Sequence, residues 1–129
     1  MSMNTLLRIC AGGLVIILLL FAALQINDPD PVLWTGYYLA CAILPTLVVF
    51  QRFSFPLFWV CVAISVGVVC LYIPGTLEYL RHAAEEPLMQ SMNPEKPYIE
   101  ETRELIGGAI TLAVLFLALL LFRKLRPED

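Results

Sequence analysis

The sequence predicts an all-α membrane protein, with four transmembrane helices in a compact antiparallel bundle, and three observations carry that prediction. The chain has 129 residues, of which 60% are hydrophobic and 15% charged. Its mean hydropathy of +0.81 is too high for a soluble domain of this size. Uncharged stretches run over 9–26, 31–51, 53–77 and 105–122, each close to the roughly 17 to 25 residues that cross about 30 Å of hydrocarbon. The charges between these stretches sort by sign. Arg8, Arg52, Arg123, Lys124 and Arg126 lie at one end, accompanied by Glu128 and Asp129. Asp28, Asp30, Glu78, Glu85, Glu86, Glu95, Glu100, Glu101 and Glu104 gather at the other, against Arg81, Lys96 and Arg103. Counting Lys and Arg beside the spans, as the positive-inside rule requires, predicts that both termini are cytoplasmic.

Several classes are excluded by the same numbers. A net charge of −3 leaves no basic surface for nucleic acid. The four cysteines, Cys10, Cys41, Cys61 and Cys70, form no Cys-x-x-Cys pair and read as small buried hydrophobes. Their spacing offers no two thiols near one surface at exchange distance, so a quinone-linked thiol enzyme is not expected. A cleaved signal peptide over residues 1–26 is disfavoured, because the apolar run is long for an h-region and no Ala-x-Ala pattern follows it. The expected organisation is one four-span membrane domain over 1–129, with spans near 5–26, 31–50, 55–77 and 100–123 and an outward loop at 78–98. The expected location is the cell membrane, the inner membrane in a bacterium.

The first span is expected to start at Asn4 or Thr5, either of which can act as N-cap, and to end before Asn27. Asn27-Asp28-Pro29-Asp30-Pro31 follows as a rigid, doubly capped turn. Pro31 fits the first helical position, and Asp30 can accept from the free amides of Leu33 or Trp34. Pro45 removes a hydrogen bond inside the second span and should bend it. Ser54 can cap the third span, with Pro56 early in it, and Pro74 and Gly75 loosen or end it. Glu78 to Glu86 has helical character, while Pro87, Pro94 and Pro97 mark the long outward loop. The last helix is expected to begin near Ile99 or Glu100 and run to Arg123 or Lys124, its acids and bases complementing the helix dipole. Small residues recur at helix-packing spacing: Gly12 and Gly13, Gly36 and Ala40, Ala63 and Gly67, and Gly107 and Gly108. All five tyrosines with Trp34 fall near the acidic side, and Trp59 with Phe50, Phe53, Phe55 and Phe58 near the basic one, as interfacial belts do.

Few polar positions could carry a function. His82 has Glu78 and Glu86 one turn away on either side, and the three could hold a divalent ion with one more oxygen. A solvated juxtamembrane helix explains the same pattern without a ligand and is the favoured account. Gln25, Asn27, Asp28, Asp30, Arg103 and Glu104 lie where polar groups begin to be expensive, with Glu100 a weaker candidate. Asp28, Glu78, Arg103 and Glu104 are expected to converge in one network, either closing the bundle end or holding a positively charged ligand. No charge falls in the inner two-thirds of any span, which argues against a proton or ion relay.

The run Ala22-Ala23-Leu24-Gln25-Ile26-Asn27-Asp28-Pro29-Asp30-Pro31, followed by Trp34 and Tyr37 or Tyr38, resembles the signature of the transmembrane protein 220 family. Glu100, Arg103, Glu104, Gly107 and Gly108 resemble the segment that heads the last helix of that family. The resemblance implies a small multi-spanning membrane protein and carries over no activity, substrate or cofactor. No cofactor is expected. The favoured function is non-catalytic packing within a homo-oligomer or larger membrane complex, with lipids as neighbours. The alternatives are an outward acidic site for a cation, lipid headgroup or small cationic solute, and an interfacial lipid-acting enzyme using His82 as base and Glu78 to orient it.

Overall fold

The computed structural model describes residues 2–27, 30–82, 84, 87–88 and 96–125. Expectations that fall on Asp28, Pro29, Glu85, Glu86, Glu95, Arg126, Glu128 and Asp129 lie outside those residues, as does the side chain of Asn27. All the regular structure described is helical: α1 (Met3–Leu24), a short 3-10 turn (Gln25–Asn27), α2 (Pro31–Val49), α3 (Phe55–Leu71), α4 (Ile73–His82) and α5 (Pro97–Lys124). α1, α2 and α5 are each long and apolar enough to cross a membrane, and α3 with α4 passes as a pair bent by 44°. The chain is thus an all-α bundle of the multi-span membrane kind, with three spans or four according to how that bent pair is counted. By its contacts it divides into two compact units, 1–62 with 113–129 and 63–112.

The first unit is built on α1 and α2. Ser2, rather than Asn4 or Thr5, caps α1, its hydroxyl accepting from the Thr5 amide at 3.2 Å. The helix therefore begins a little earlier than expected, because a capping oxygen was already available at residue 2. Leu7, Ala11, Leu18 and Ala22 are the buried residues of α1, and their spacing of four, seven and four keeps them on one stripe. α2 runs antiparallel to that stripe. Arg8 Nε donates to the Val49 carbonyl at 2.6 Å near one end of the pair, and Thr35 donates to the Ala22 carbonyl at 3.5 Å near the other. Phe21 meets Tyr38 edge to face at 5.5 Å between them.

Pro31 opens α2 as expected, but the expected Asp30 side-chain cap does not form. Asp30 sits at φ −118°, ψ 61°, outside the extended conformation from which a capping carboxylate folds back onto the helix. Only its backbone carbonyl engages the helix, accepting from Trp34 N–H at 3.3 Å. Pro45 is fully buried inside α2 and withholds a donor from the Cys41 carbonyl. The helix ends in a Schellman turn. Arg52 N–H returns to the Leu47 carbonyl and Gln51 N–H to the Val48 carbonyl, both at 2.8 Å, with Gln51 at φ 60°.

Beyond that turn Ser54 caps α3, accepting from the Leu57 amide at 3.4 Å. Phe53 stacks on Phe122 of α5 at 5.2 Å and tilts against the fully buried Phe58 at 5.6 Å, which meets Phe116 edge to face at 5.3 Å. Below these rings Ala11, Val48 and Ala118 form a core packed by Leu14, Val49, Leu121 and Leu125. Two of its three central residues, Ala11 and Ala118, are small, as suits helix packing in lipid.

The second unit holds the rest of α3, all of α4 and the head of α5. The helix breaks at Tyr72 and resumes at Ile73, so Pro74 and Gly75 do not end it; they fall in the first turn of α4. A proline there has no intrahelical amide to lose. Pro97 likewise opens α5, two to three residues before the expected start and for the same reason. α5 passes close to α3, where a Cβ on Gly108 would stand 3.0 Å from Val68 Cγ1 and 3.3 Å from Val69 Cγ2. Gly107 and Gly108 are both buried, as a packing notch requires.

Candidate functional site

The acidic candidates that the structure describes fall mainly on α4 and the head of α5, within the second unit. Glu78, Arg81 and His82 form a local set on α4. Arg81 reaches Glu78 at 3.4 Å, and His82 Nε2 lies 3.3 Å from the other carboxylate oxygen. The Glu78 and His82 side chains are 45% and 40% exposed, so water screens both contacts and they add little to stability. His82 is held more by its face than by its edge. Its ring stacks on Tyr98 of α5 at 5.2 Å and an interplanar angle of 23°.

Further along the same pair of helices, Gly75 is buried against Glu101. A Cβ built on Gly75 would overlap the Glu101 carboxylate and stand 2.7 Å from its Cβ. The two helices touch there at backbone distance, which only the missing side chain permits. Ile99, Thr102 and Glu104 are buried on the inner face of α5, with Glu104 8% exposed. A carboxylate at that depth is costly unless it is partnered. Among the described residues no buried side-chain nitrogen or oxygen lacks a hydrogen bond. Thr76, Thr102 and Thr111 each donate to the carbonyl four residues earlier, at 2.9, 2.7 and 2.7 Å. Their hydroxyls each bond within their own helix.

Gln25 and Asp30 lie in the first unit. Gln25 donates to the Phe21 carbonyl at 3.2 Å, a contact internal to its own chain turn. Asp30 is exposed at the N-cap of α2. In the second unit Arg103 and Glu100 are half-buried on the first turns of α5, and both are engaged with neighbours. The expected metal set needs Glu86, which lies outside the described residues; among those described, no three His, Cys, Asp or Glu side chains come close enough to hold an ion.

Two juxtapositions were missed by the sequence analysis. The stack of His82 on Tyr98 joins residues sixteen positions apart across a loop, and no local pattern marks it. Cys41 and Cys61 are neighbours in the buried interior of the first unit, a juxtaposition the sequence analysis did not draw, having asked only whether two thiols meet near one surface. A signal was available. Each lies ten residues from Gln51, and antiparallel helices joined by a tight turn bring such positions to equal height. Both remain free thiols.

Helices of this length and composition, with charges confined to their ends, define a small multi-pass helical membrane protein. The family described as Transmembrane family 220, helix, matches residues 17–120, and the chain belongs to that family. No curated protein and no solved structure matches it.

Proposed function

We propose that the protein is a non-catalytic packing component of the membrane, which associates with copies of itself or with a larger membrane complex through small-residue helix faces. The observation that carries this is a division among its glycines. A Cβ on Gly108 or Gly75 would press on a neighbouring helix, whereas on Gly12, Gly13, Gly36 or Gly67 it would meet nothing within 4 Å among the described residues. A helix-interior glycine costs up to about 1 kcal/mol relative to alanine. That cost is offset where backbones pack closely, and in lipid close packing of small residues is what drives helices together. Four glycines without that return inside the chain are best explained by a partner outside it. Mass measurement of the protein purified in mild detergent tests this directly. An assembly that dissociates on Gly36→Leu or Gly67→Leu is the expected result, and a strictly monomeric wild-type particle would refute it.

The topology belongs to the same proposal: four spans, with α3 and α4 forming one bent span, and both termini cytoplasmic. Its support is the excess of Lys and Arg at the end that carries Arg8, Arg52, Arg123 and Lys124. Labelling of single cysteines introduced at positions 52 and 95 should place them on opposite sides of the membrane.

The Glu78–His82 contact favours a second reading, an acidic site for a cation, lipid headgroup or small cationic solute within the second unit, at Glu78 and Glu104. Calorimetric titration with calcium, zinc and simple amines, repeated on Glu104→Gln, examines it. An unchanged melting temperature with every ligand would remove it.

A further inference from the structure

Among the described residues, the basic end of the first unit carries more positive charge than its own contacts use. Three separate parts of the chain bring it together. Arg8 comes from the start of α1, Arg52 from the turn after α2, and Arg123 and Lys124 from the end of α5. The stack of Phe53 on Phe122 at 5.2 Å ties the turn to the end of α5, and Arg52 and Arg123 are the immediate sequence neighbours of those two rings.

Positive side chains at helix C-termini can simply complement the dipole, and Arg8 does so, donating to the Val49 carbonyl at 2.6 Å. Arg52, Arg123 and Lys124 are different. All three are exposed, and among the described residues no carboxylate pairs with any of them. Within the described part of this unit the sole acid is Asp30, which precedes α2, at the opposite end of that helix from Arg52. Apolar rings from the same turn and the start of α3 are also uncovered: Phe50 is 65% exposed, Trp59 59% and Phe55 45%, and Phe55 meets Phe122, the neighbour of Arg123, at 6.5 Å. A surface that offers exposed guanidinium and ammonium groups, not paired among the described residues, together with exposed aromatic rings matches a molecule with a phosphate at one end and hydrocarbon at the other. A free phosphate would use the bases and leave the rings without a role.

We propose that Arg52, Arg123 and Lys124, together with the exposed rings of Phe50, Phe55 and Trp59, bind the phosphate headgroup of an anionic membrane lipid. The planar guanidinium groups of Arg52 and Arg123 take the phosphate oxygens, Lys124 adds a mobile positive charge, and the rings pack against the glycerol and upper acyl chain. The selectivity is for net negative headgroups over zwitterionic ones.

Trp59 is a built-in reporter, because the only other tryptophan, Trp34, is buried and can be replaced by Trp34→Phe. The full chain carrying that replacement is reconstituted in phosphatidylcholine vesicles that contain brominated phosphatidylglycerol or brominated phosphatidylcholine at equal mole fraction. Stronger quenching of Trp59 by the anionic lipid is expected. The preference should weaken by about five-fold for each base removed in Arg52→Gln and Arg123→Gln, and it should fall with added salt. Equal quenching by the two lipids, or a preference that survives both substitutions, would overturn the proposal. Loss of the preference on adding soluble inorganic phosphate, but not on adding sodium chloride to the same ionic strength, would reassign the site to the free anion. Should the Arg52→Gln chain not fold, the helix-end pair Arg123→Gln and Lys124→Gln supplies the same comparison, with far-UV circular dichroism confirming helix content.

Discussion

Replacing Gly75 by alanine should destabilise the protein, although alanine is the better helix former. The new Cβ would stand 2.7 Å from the Cβ of Glu101, about 1 Å short of ordinary carbon–carbon contact. The Glu101 carboxylate can swing aside, but its Cβ is fixed to the backbone of α5, so α4 and α5 must separate. Overpacking of this kind costs roughly 1–3 kcal/mol. Helix propensity returns up to about 1 kcal/mol, and less than that in the first turn of α4. The net expectation is a loss of about 1–2 kcal/mol. Gly67→Ala is the matched control in the dissociated chain, since its Cβ would meet nothing within 4 Å among the described residues and, without an outside partner, only the gain in propensity remains. Unfolding in mixed micelles with rising sodium dodecyl sulfate, followed by far-UV circular dichroism, would measure both. Gly75→Ala should unfold at the lower detergent fraction and Gly67→Ala at or above the wild-type value. The double variant Gly75→Ala with Glu101→Gly moves the gap to the other helix and should be more stable than the two single effects predict. If Gly75→Ala proved as stable as Gly67→Ala, the close approach of α4 and α5 would be refuted.

Three further outcomes are expected in the same assay. Arg8→Ala leaves the Val49 carbonyl without its 2.6 Å charged donor and should cost roughly 1.5–3 kcal/mol, with Arg8→Lys recovering part of the loss. Gln51→Gly should stabilise by about 1 kcal/mol, because Gln51 holds φ 60° at the αL position of the Schellman turn, where a Cβ is penalised. A double-mutant cycle between His82→Ala and Tyr98→Ala should show a coupling of about 0.5–1.5 kcal/mol from the stacked rings, and additive effects would mean that the stack contributes nothing.

Much of the helical framework could be read from local chemistry. α2, with Pro31 at its first position, and the Ser54 cap of α3 follow from residues within one turn of each boundary. Boundaries moved where a nearby residue offered an alternative: Ser2 took the cap from Asn4 and Thr5, and Pro97 opened α5 instead of closing a loop. The polar candidates were less legible. Glu78 and His82 were expected on one face and do meet, since an i,i+4 contact needs only a helix. Tyr98, which holds the other face of that imidazole, comes from the far side of a loop whose path no local pattern sets.

By itself the sequence determined that the chain is helical and apolar enough to span a membrane several times, and that its charges separate by sign toward the helix ends. Those properties are sums over individual residues, the cost of moving each from water to hydrocarbon, and they need no knowledge of neighbours. Only the tertiary structure decided which faces touch: Gly75 on Glu101, Gly108 on Val68, Cys41 beside Cys61, and Gly67 on nothing. In water a buried face is more apolar than an exposed one, and the pattern betrays it. In lipid both faces are equally apolar, so helix contacts are chosen by shape and by a few polar partners, and hydropathy along the chain carries no record of them.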